Sequence, residues 1–297
     1  DLTAVTRADA SDPLNLAAGT VTQLDGSALV VDGTTGISAG TAAVTLDKAA
    51  NRFGDQLSLD AGATVIATSA DLATATVVSR GSLDIRSGGG DVRLGVTTVQ
   101  GALAVTTAGG DLTQSGALNV SGASTISAAG GDVTLGAQQN VFGGLLELVG
   151  KKVEVAANSA MTLADVRVTG DLKLTTTGGP IAQAPGAVLV AAGKTTLDAK
   201  NAGAAAAITL ANDRNDFQGV IEANGAAIKL RDAVGNLKLG NVNATGMLDV
   251  MARGGAIMLE PGALQLARGG MILTPDPRPS AIDMPKVRAE SLSTAKV

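Results

Sequence analysis

The chain has 297 residues, of which 45% are hydrophobic but only 1% aromatic, and it contains neither His nor Cys. Thiol or Ser-His nucleophiles, zinc sites of His and Cys, and haem or iron–sulfur ligation all need side chains that this chain lacks, so only carboxylate, Lys/Arg and Ser/Thr chemistry remains. The formal net charge of −5 provides no basic field for a phosphate backbone, so nucleic acid is not an expected partner.

Small residues dominate the apolar part of the sequence, which includes 39 Gly. They suit a narrow interior of stacked repeats, since a roughly spherical domain of this size normally fills its width with large aromatics. No apolar run approaches the ~18 residues of a membrane-spanning helix, and no membrane insertion is expected. The first residue is Asp1 and no signal segment follows, which predicts a piece processed or excised from a longer chain.

All three Phe of the chain fall in one recurring motif, Asn-x-Phe followed by Gly or Gln. The motif occupies residues 51–54, 140–143 and 215–218. We expect its Asn side chains to be buried and to bind backbone groups of a turn, and its Phe side chains to fill the core at a repeated corner. These six residues, predicted to be structural, are Asn51, Phe53, Asn140, Phe142, Asn215 and Phe217.

Longer stretches of the chain are also related to one another. The segment that begins at Leu163 aligns without a gap to the segment at Leu239, 76 positions later. It also aligns to the segment at Leu94, 69 positions earlier, with one residue missing beside Pro185. Three copies of one module therefore fill the chain. The first copy contains about 20 extra residues between Phe53 and Leu94, which we expect to form one additional turn.

The module is itself built from a shorter repeat. Gly-Gly pairs end at Gly90, Gly110 and Gly131, a spacing of about 20 residues that is typical of solenoid repeats. Apolar residues alternate within each unit, as at Leu103 and Val105, and the short runs end in Gly-Gly, Gly-Asp or Ala-Gly, a pattern typical of strands and turns. A unit of about 20 residues cannot bury its apolar face alone and must stack on its neighbours.

These features predict an all-β fold, namely a parallel β-helix (solenoid) with turns of about 20 residues over residues 1–273. Leucine-rich repeats have a similar period, but their Leu-x-x-Leu-x-Leu-x-x-Asn frame is missing here. An antiparallel β-roll or sandwich is the alternative fold.

The Asn-x-Phe-Gly motif, the frame Leu-Gly-x-Val then Gly-x-Leu-x-Val, and the closing Gly178-Gly179-Pro-Ile181-Ala-Gln183 together resemble a known family. It is the repeat region of secreted exoproteins of the filamentous haemagglutinin type, exported by two-partner secretion in Gram-negative bacteria. The resemblance covers residues 40–273. It implies a right-handed parallel β-helix on or outside the outer membrane, used for adhesion, aggregation or biofilm.

One part of that family's pattern is missing from the chain. The Asn-Pro-Asn motif of the family's secretion domain is not seen, and the nearest string is Asp12-Pro13-Leu14-Asn15. We therefore expect this chain to belong to the shaft of such a protein.

Gly-Gly-Asp triples at residues 89–91, 109–111 and 130–132 are similar to calcium-binding nonapeptide repeats. Those repeats need a nine-residue period with a second Gly-x-Asp, whereas the period here is about 20 residues, so we interpret the triples as turns before strands. Asn119 and Asn243 each begin an N-glycosylation tripeptide, a short pattern that also arises by chance.

β-Helical enzymes that cut polysaccharides place two or three Asp with Lys or Arg on one face. Two sets of residues have that composition: Asp213, Arg214 and Asp216, and Asp165, Arg167 and Asp171. The first set flanks Asn215, and the other two copies of the motif carry no acids there, which indicates solvated turn residues. We therefore predict no catalytic, cofactor-binding or metal-binding residue.

The carboxyl end differs from the repeats. Residues 274–297 contain four of the eight Pro, and no Gly occurs after Gly270. Because Pro removes ladder donors, the β-helix should end near Leu273 and an irregular, extended tail should follow. The tail is either a linker or a strand that docks on its own or another solenoid. Its apolar positions favour docking.

Taken with the resemblance, the sequence favours a non-enzymatic structural and adhesive segment of a secreted bacterial surface fibre. The alternatives are a self-assembling fibre subunit, joined through its β-helix ends or tail, and a β-helical polysaccharide-degrading enzyme. Expected partners are other copies of the chain or neighbouring fibre segments, and host or bacterial surface glycans. The expected location is extracellular, at the bacterial cell surface.

Overall fold

The computed structural model describes residues 5–6, 13–17, 19–276 and 287–288. The chain divides into two compact units, Asp1–Lys151 and Lys152–Val297. Regular structure in the described residues is entirely β, so they contain no helix long and apolar enough to cross a membrane.

The described residues of the first unit form twenty short strands. They are β1 (Val5–Thr6), β2 (Leu14–Ala17), β3 (Val21–Thr22), β4 (Leu29–Val31), β5 (Thr35–Ser38), β6 (Val44–Leu46), β7 (Arg52–Phe53), β8 (Gln56–Ala61), β9 (Thr64–Thr68), β10 (Leu72–Ser79), β11 (Leu83–Ser87), β12 (Val92–Leu94), β13 (Val96–Val99), β14 (Leu103–Thr107), β15 (Leu112–Gln114), β16 (Leu118–Val120), β17 (Ser124–Ala128), β18 (Val133–Leu135), β19 (Val141–Phe142) and β20 (Leu145–Gly150).

Strands of the first unit pair in parallel with strands one repeat away. Leu83 of β11 pairs with Leu103 of β14, which pairs in turn with Ser124 of β17. On the next face Val92 of β12 pairs with Leu112 of β15, which is again the equivalent position of the following repeat. The unit is therefore a parallel β-solenoid with one turn per short repeat.

Seventeen strands lie in the part of the second unit that the structure describes. They are β21 (Val153–Ala157), β22 (Met161–Val168), β23 (Leu172–Thr176), β24 (Ile181–Gln183), β25 (Leu189–Ala191), β26 (Thr195–Asn201), β27 (Ala204–Ala205), β28 (Ile208–Leu210), β29 (Asp216–Phe217), β30 (Val220–Gly225), β31 (Ile228–Asp232), β32 (Leu237–Ala244), β33 (Leu248–Ala252), β34 (Ile257–Leu259), β35 (Gln265–Ala267), β36 (Met271–Thr274) and β37 (Val287–Arg288).

The second unit has the same parallel architecture. Leu248 of β33 pairs with Ile228 of the preceding turn on one side and with Met271 of the following turn on the other. Antiparallel pairing occurs in the hairpin of β26 and β27, which turns through Ala202 and Gly203 at φ of 48° and 82°, and in a single bridge between Gly178 and Asn201. Both units confirm the predicted parallel β-solenoid, and the antiparallel roll or sandwich is wrong.

The core follows from the alternation of residues along each strand. In β14, Leu103, Val105 and Thr107 are buried while Ala104 and Thr106 face outward. The buried positions hold Leu, Ile, Val, Ala and the three Phe, and fully burying one Leu or Val contributes roughly 1.5–3 kcal/mol. Small aliphatics suffice because each inward side chain packs against the same position of the next turn.

From β10 to β19 of the first unit, the corner between the two strands of one face becomes longer with each turn. Strand β10 crosses it without a break but with a register shift between Thr74 and Val77, as in a β-bulge. In the following turns the corner contains Gly95, then residues 115–117, then residues 136–140. This growth lengthens the repeat gradually, and the longest corner ends in the Asn-x-Phe motif.

The extra residues of the first copy form a complete turn, as predicted. Leu83 of β11 pairs with Thr64 in the turn before it and with Leu103 in the turn after it. Both partners are parallel neighbours on the same face of the solenoid.

The structure describes only part of the predicted tail. Strand β36 extends to Thr274, and residues 277–286 and 289–297 lie outside the described residues, as does Asp12. Between the two tail segments, β37 pairs in parallel with Gln265 and Leu266 of β35.

Deletions test the turn-per-repeat register. Removing residues 83–102 takes out one complete turn, because Leu83 pairs with Leu103 on one face and Val92 with Leu112 on the next. We expect this variant to keep its β circular-dichroism signal and a cooperative thermal transition. Removing residues 83–92 alone deletes half a turn, so that the strands after the deletion no longer align with the turn before it. We expect this variant to lose cooperative melting. Equal melting of the two variants would contradict the register.

Candidate functional site

The Asn of each Phe motif lies at the centre of a buried hydrogen-bond network. The Oδ1 atom of Asn140 accepts hydrogen bonds from the backbone N–H of Leu118 at 2.9 Å and from Nε2 of Gln114 at 2.9 Å. Its Nδ2 atom donates to Oε1 of Gln114 at 2.9 Å and to the carbonyl of Leu135 at 3.2 Å. Asn140 thus closes the corner by joining three parts of adjacent turns.

The same reciprocal amide pair occurs in the other two copies. Gln23 and Asn51 exchange hydrogen bonds of 2.6 and 2.9 Å, and Gln183 and Asn215 exchange bonds of 2.7 and 3.0 Å. The Oδ1 atom of each Asn also accepts a hydrogen bond from the backbone N–H of a Leu. The distance is 2.8 Å from Leu29 in the first copy and 3.1 Å from Leu189 in the third. The three Asn side chains are therefore used for structure in the same way.

The Gln partners were not identified from the sequence as members of this cluster. Each Gln precedes its Asn by a different distance, since Gln23, Gln114 and Gln183 lie 28, 26 and 32 residues before their partners. The spacing changes with the length of the intervening turn, which hides the pairing. The signal that could have revealed it is the repeated corner sequence itself, in which the Gln-bearing strand precedes a Gly.

The three Phe side chains are buried, with exposed fractions of 2% for Phe53, 3% for Phe142 and 1% for Phe217. Each lies on a strand of two residues, and these strands pair with the preceding corner strands β4, β16 and β25. For β7 and β29, no strand within the described part of the same unit pairs with the other edge. In the first and third copies, the Phe ring therefore fills the core at the last of the strands that pair along this corner.

Asp232 is a buried residue that binds the backbone of the third Asn-x-Phe motif, which we call the third Phe turn. It lies 15 positions after Phe217, where the first copy has Thr68 and the second has Ala157. Its Oδ1 accepts the backbone N–H of Phe217 at 2.9 Å, and its side chain is only 1% exposed. Burial, assisted by the nearby carboxylate of Asp216, raises the pKa of Asp232 to about 6.

The Gly-Gly-Asp triples form a ladder of turns, which agrees with their interpretation as turn residues. The hydroxyl of Thr107 donates to the carbonyl of Gly110 at 2.5 Å within one turn. The Oδ1 atom of Asp91 accepts the backbone N–H of Asp111 at 2.8 Å, and Asp111 in turn accepts that of Asp132 at 2.8 Å. Each carboxylate thus caps the same turn one repeat further along.

The acidic sets proposed for catalysis are engaged in structural contacts. Asp165 accepts the backbone N–H of Val188 at 2.9 Å, which lowers the pKa of Asp165, and it also pairs with Arg167 at 3.0 Å. Asp171 accepts the backbone N–H of Lys194 at 2.9 Å. The two carboxylates of this set therefore bind different backbone amides of the following solenoid turn.

The second acidic set is divided in the same way. Asp213 forms an exposed ion pair with Arg253 at 2.8 Å, and Asp216 accepts a hydrogen bond from Gln218 at 2.8 Å. Arg214 donates to the carbonyl of Gly186. Among the described residues no group of three or more acidic side chains is arranged to hold a metal ion.

An open groove of about 360 Å³ lies on the second unit and was not predicted from the sequence. Its polar side chains are Lys194, Glu222, Asn241 and Glu260. Lys194 pairs with Glu222 at 2.7 Å, and Asn241 accepts the backbone N–H of Leu264 at 3.0 Å. The groove offers polar groups for a hydrophilic ligand and no aromatic surface, since Phe is the sole aromatic residue type in the chain and all three Phe are buried.

The turn-by-turn geometry and the recurring motif define a repeat protein with a β-solenoid fold. Residues 1–60, 80–149 and 150–224 match the family described as Repeats of unknown function (DUF5649), and the chain belongs to this family. Each matched part carries one Asn-x-Phe motif near its carboxyl end. Comparison with curated proteins and with solved structures gave no match.

The amide pair can be tested by substitution in the second copy. Asn140→Ala leaves the buried N–H of Leu118 without its acceptor, and we expect a loss of about 1–3 kcal/mol for that group. Combining it with Gln114→Ala should cost less than the sum of the single changes, because each single change removes the same pair. The measurement is urea unfolding followed by circular dichroism. Asn119→Ala changes an exposed side chain next to Leu118. It is the control and should cost less than about 0.5 kcal/mol.

The role of Phe as a core-filling residue can be tested at Phe142. We expect Phe142→Ala to destabilise the protein by about 3–5 kcal/mol through lost burial and the cavity left behind. Hydrogen exchange should localise the loss of protection to the adjacent turns, since damage in a solenoid stays near its source. Leu145→Ala changes a side chain that is 45% exposed in the same turn. An equal effect of the two changes would contradict the assigned role.

Two neighbouring glycines provide a matched pair in the Gly-Gly-Asp turn. A Cβ atom at Gly110 would overlap the carbonyl group of Gly90 in the preceding turn, whereas one at Gly109 would meet its nearest atom at 3.7 Å. We therefore expect Gly110→Ala to lower the melting temperature clearly and Gly109→Ala to change it little. The same melting temperature for both variants would show that the turns are not stacked this closely.

Proposed function

We propose that the chain is a non-enzymatic structural and adhesive segment of a secreted bacterial surface fibre of the filamentous haemagglutinin type. The observation that carries the proposal is the way in which each turn uses the polar groups of its neighbour, as Asp111 does towards Asp91 and Asp132. A chain with this design can be lengthened by whole turns, because each turn contacts only the turns beside it. Such a design suits a shaft that holds a surface away from the cell.

The absence of an enzymatic role is part of this proposal. The acids considered for polysaccharide cleavage, such as Asp165 and Asp213, bind backbone amides or Arg side chains. A glycosidase needs two carboxyl groups on either side of one scissile bond, with one held as an acid. Carboxylates that are ionised and engaged in these structural contacts do not supply the acid member of such a pair. Incubation with bacterial and host polysaccharides should therefore release no reducing ends or unsaturated products.

Glycans are the ligand class proposed for the adhesive role. The groove around Lys194, Glu222, Asn241 and Glu260 supplies ammonium, carboxylate and amide groups that can bind sugar hydroxyls. Because no exposed aromatic ring is available for stacking among the described residues, binding there would depend on hydrogen bonds. We expect such contacts to be weak individually and to gain strength when many copies act together.

The self-assembling subunit is kept as a second candidate because of one observation. Five of the eight large hydrophobic residues that are exposed in the described part of the chain lie near the end of the second unit. They are Val234, Met247, Met258, Leu264 and Ile272. They fall between residues 234 and 272, and exposed apolar side chains can contribute to a surface that contacts another protein.

Two measurements test the proposal. The mass of the native gene product, combined with protease treatment of intact cells, should reveal a product of thousands of residues that is degraded from outside. Beads coated with the purified chain should adhere to cells more than uncoated beads do. A product of about 300 residues that assembles into fibres would favour the self-assembling subunit. A protein protected inside the cell would overturn both.

A further inference from the structure

The third Phe turn differs from the other two in carrying an ionisable group in its core. Asp232 is 1% exposed, and its Oδ1 atom accepts the backbone N–H of Phe217. The backbone N–H groups of Ala233 and Val234 also act on the carboxylate and offset part of the effect of burial on its pKa. Its Oδ2 atom accepts no hydrogen bond of standard geometry in the described structure. The residue paired with Asp232 in the next turn is Ala252, which is also buried. A carboxylate in this position loses its hydration without gaining a cationic partner.

The neighbouring charges do not compensate the Asp232 carboxylate. Asp216, beside it, is of like charge. The cations on the surrounding elements are engaged elsewhere: Arg253 with Asp213 at 2.8 Å, Arg231 with Asp249 at 2.8 Å, Arg214 with the carbonyl of Gly186, and Lys238 with the carbonyl of Gln218 at 3.4 Å. No cation within the described residues is paired with Asp232.

We propose that the third Phe turn is a pH-responsive joint, which is held closed in acid and opens more readily as Asp232 ionises. When the turn is closed, the neutral acid is preferred because burial disfavours the charge. When the turn opens, water reaches the carboxylate and ionisation becomes easy. Acidification therefore stabilises the closed turn, and a rise in pH removes that stabilisation.

The pH range follows from the two states of Asp232. The pKa is about 6 in the closed turn and is 3.8 for an unperturbed Asp, the value we assign to the open turn. The stabilisation is complete below the lower pKa and is lost as the pH rises through the higher one. From about pH 5 to about pH 7, the opening equilibrium constant should rise roughly tenfold.

The first Phe turn of the same molecule is a built-in control. The residue at the position equivalent to Asp232 is Thr68, whose hydroxyl donates to the carbonyl of Asn51 at 2.8 Å. Thr does not ionise in this range, so this turn should not respond to pH. The comparison between the two turns is made within one protein under one set of conditions.

Native-state hydrogen exchange read by mass spectrometry tests the joint. In the wild-type protein, protection of peptides containing Phe217 should fall roughly tenfold between about pH 5 and about pH 7, after correction for the intrinsic exchange rate. Protection of peptides containing Phe53 should stay constant after the same correction. Equal behaviour of the two turns would overturn the proposal, and this comparison needs no variant.

Substitutions assign the effect to Asp232. Asp232→Asn keeps an acceptor for the N–H of Phe217 but cannot ionise, and Asp232→Thr reproduces the residue of the first copy. Both should make protection of the third turn independent of pH. Asp216→Asn removes the like charge and should move the transition to lower pH while leaving it present. A full pH response in folded Asp232→Asn protein would contradict the proposal.

Discussion

Parallel hydrogen bonding between successive turns is the constraint on which the rest of the structure depends. Inside the solenoid, the backbone groups of a strand are satisfied by the strands one turn before and one turn after, as for β14 between β11 and β17. The sequence must therefore return to the same position once in every repeat, and each buried side chain must fit between copies of its own position. Small aliphatic residues meet that requirement, because they pack closely on copies of themselves at the spacing of about 4.8 Å between strands.

The corners show how the chain accommodates exceptions to this rule. A Gly such as Gly110 is required where the backbone of one turn runs against that of the next, and an Asp such as Asp91 caps the amide that begins the next strand. Where the corner is longest, the Asn140 and Gln114 pair satisfies the backbone groups that strand pairing no longer reaches. Phe142 then fills the wider interior at the same level.

The solenoid, its period and the structural character of the Phe motif were accessible from sequence because they depend on local patterns that recur. The partner of Asn140 was not accessible, because Gln114 lies on the previous turn at a distance set by corner length. Asp232 was missed for a different reason: its sequence neighbourhood resembles any strand end, and only the fold shows that it is buried and bound to the backbone of Phe217. The groove near Lys194 likewise exists only once separate turns are stacked.

The function proposed for the chain rests on the same stacking, since carboxylates such as those of Asp91 and Asp111 bind the backbone of the next turn. The most direct test of the register between turns uses introduced cysteines, because the natural sequence contains none. Ala104 and Thr125 face outward and are paired on adjacent turns, so their Cα atoms should lie about 4.8 Å apart, within disulfide range. Mild oxidation of the Ala104→Cys/Thr125→Cys protein should form an intramolecular disulfide readily. The Ala104→Cys/Ser127→Cys protein, with a separation of about 8 Å, should not. Equal cross-linking of both, or cross-linking of the second alone, would contradict the register on which the account rests.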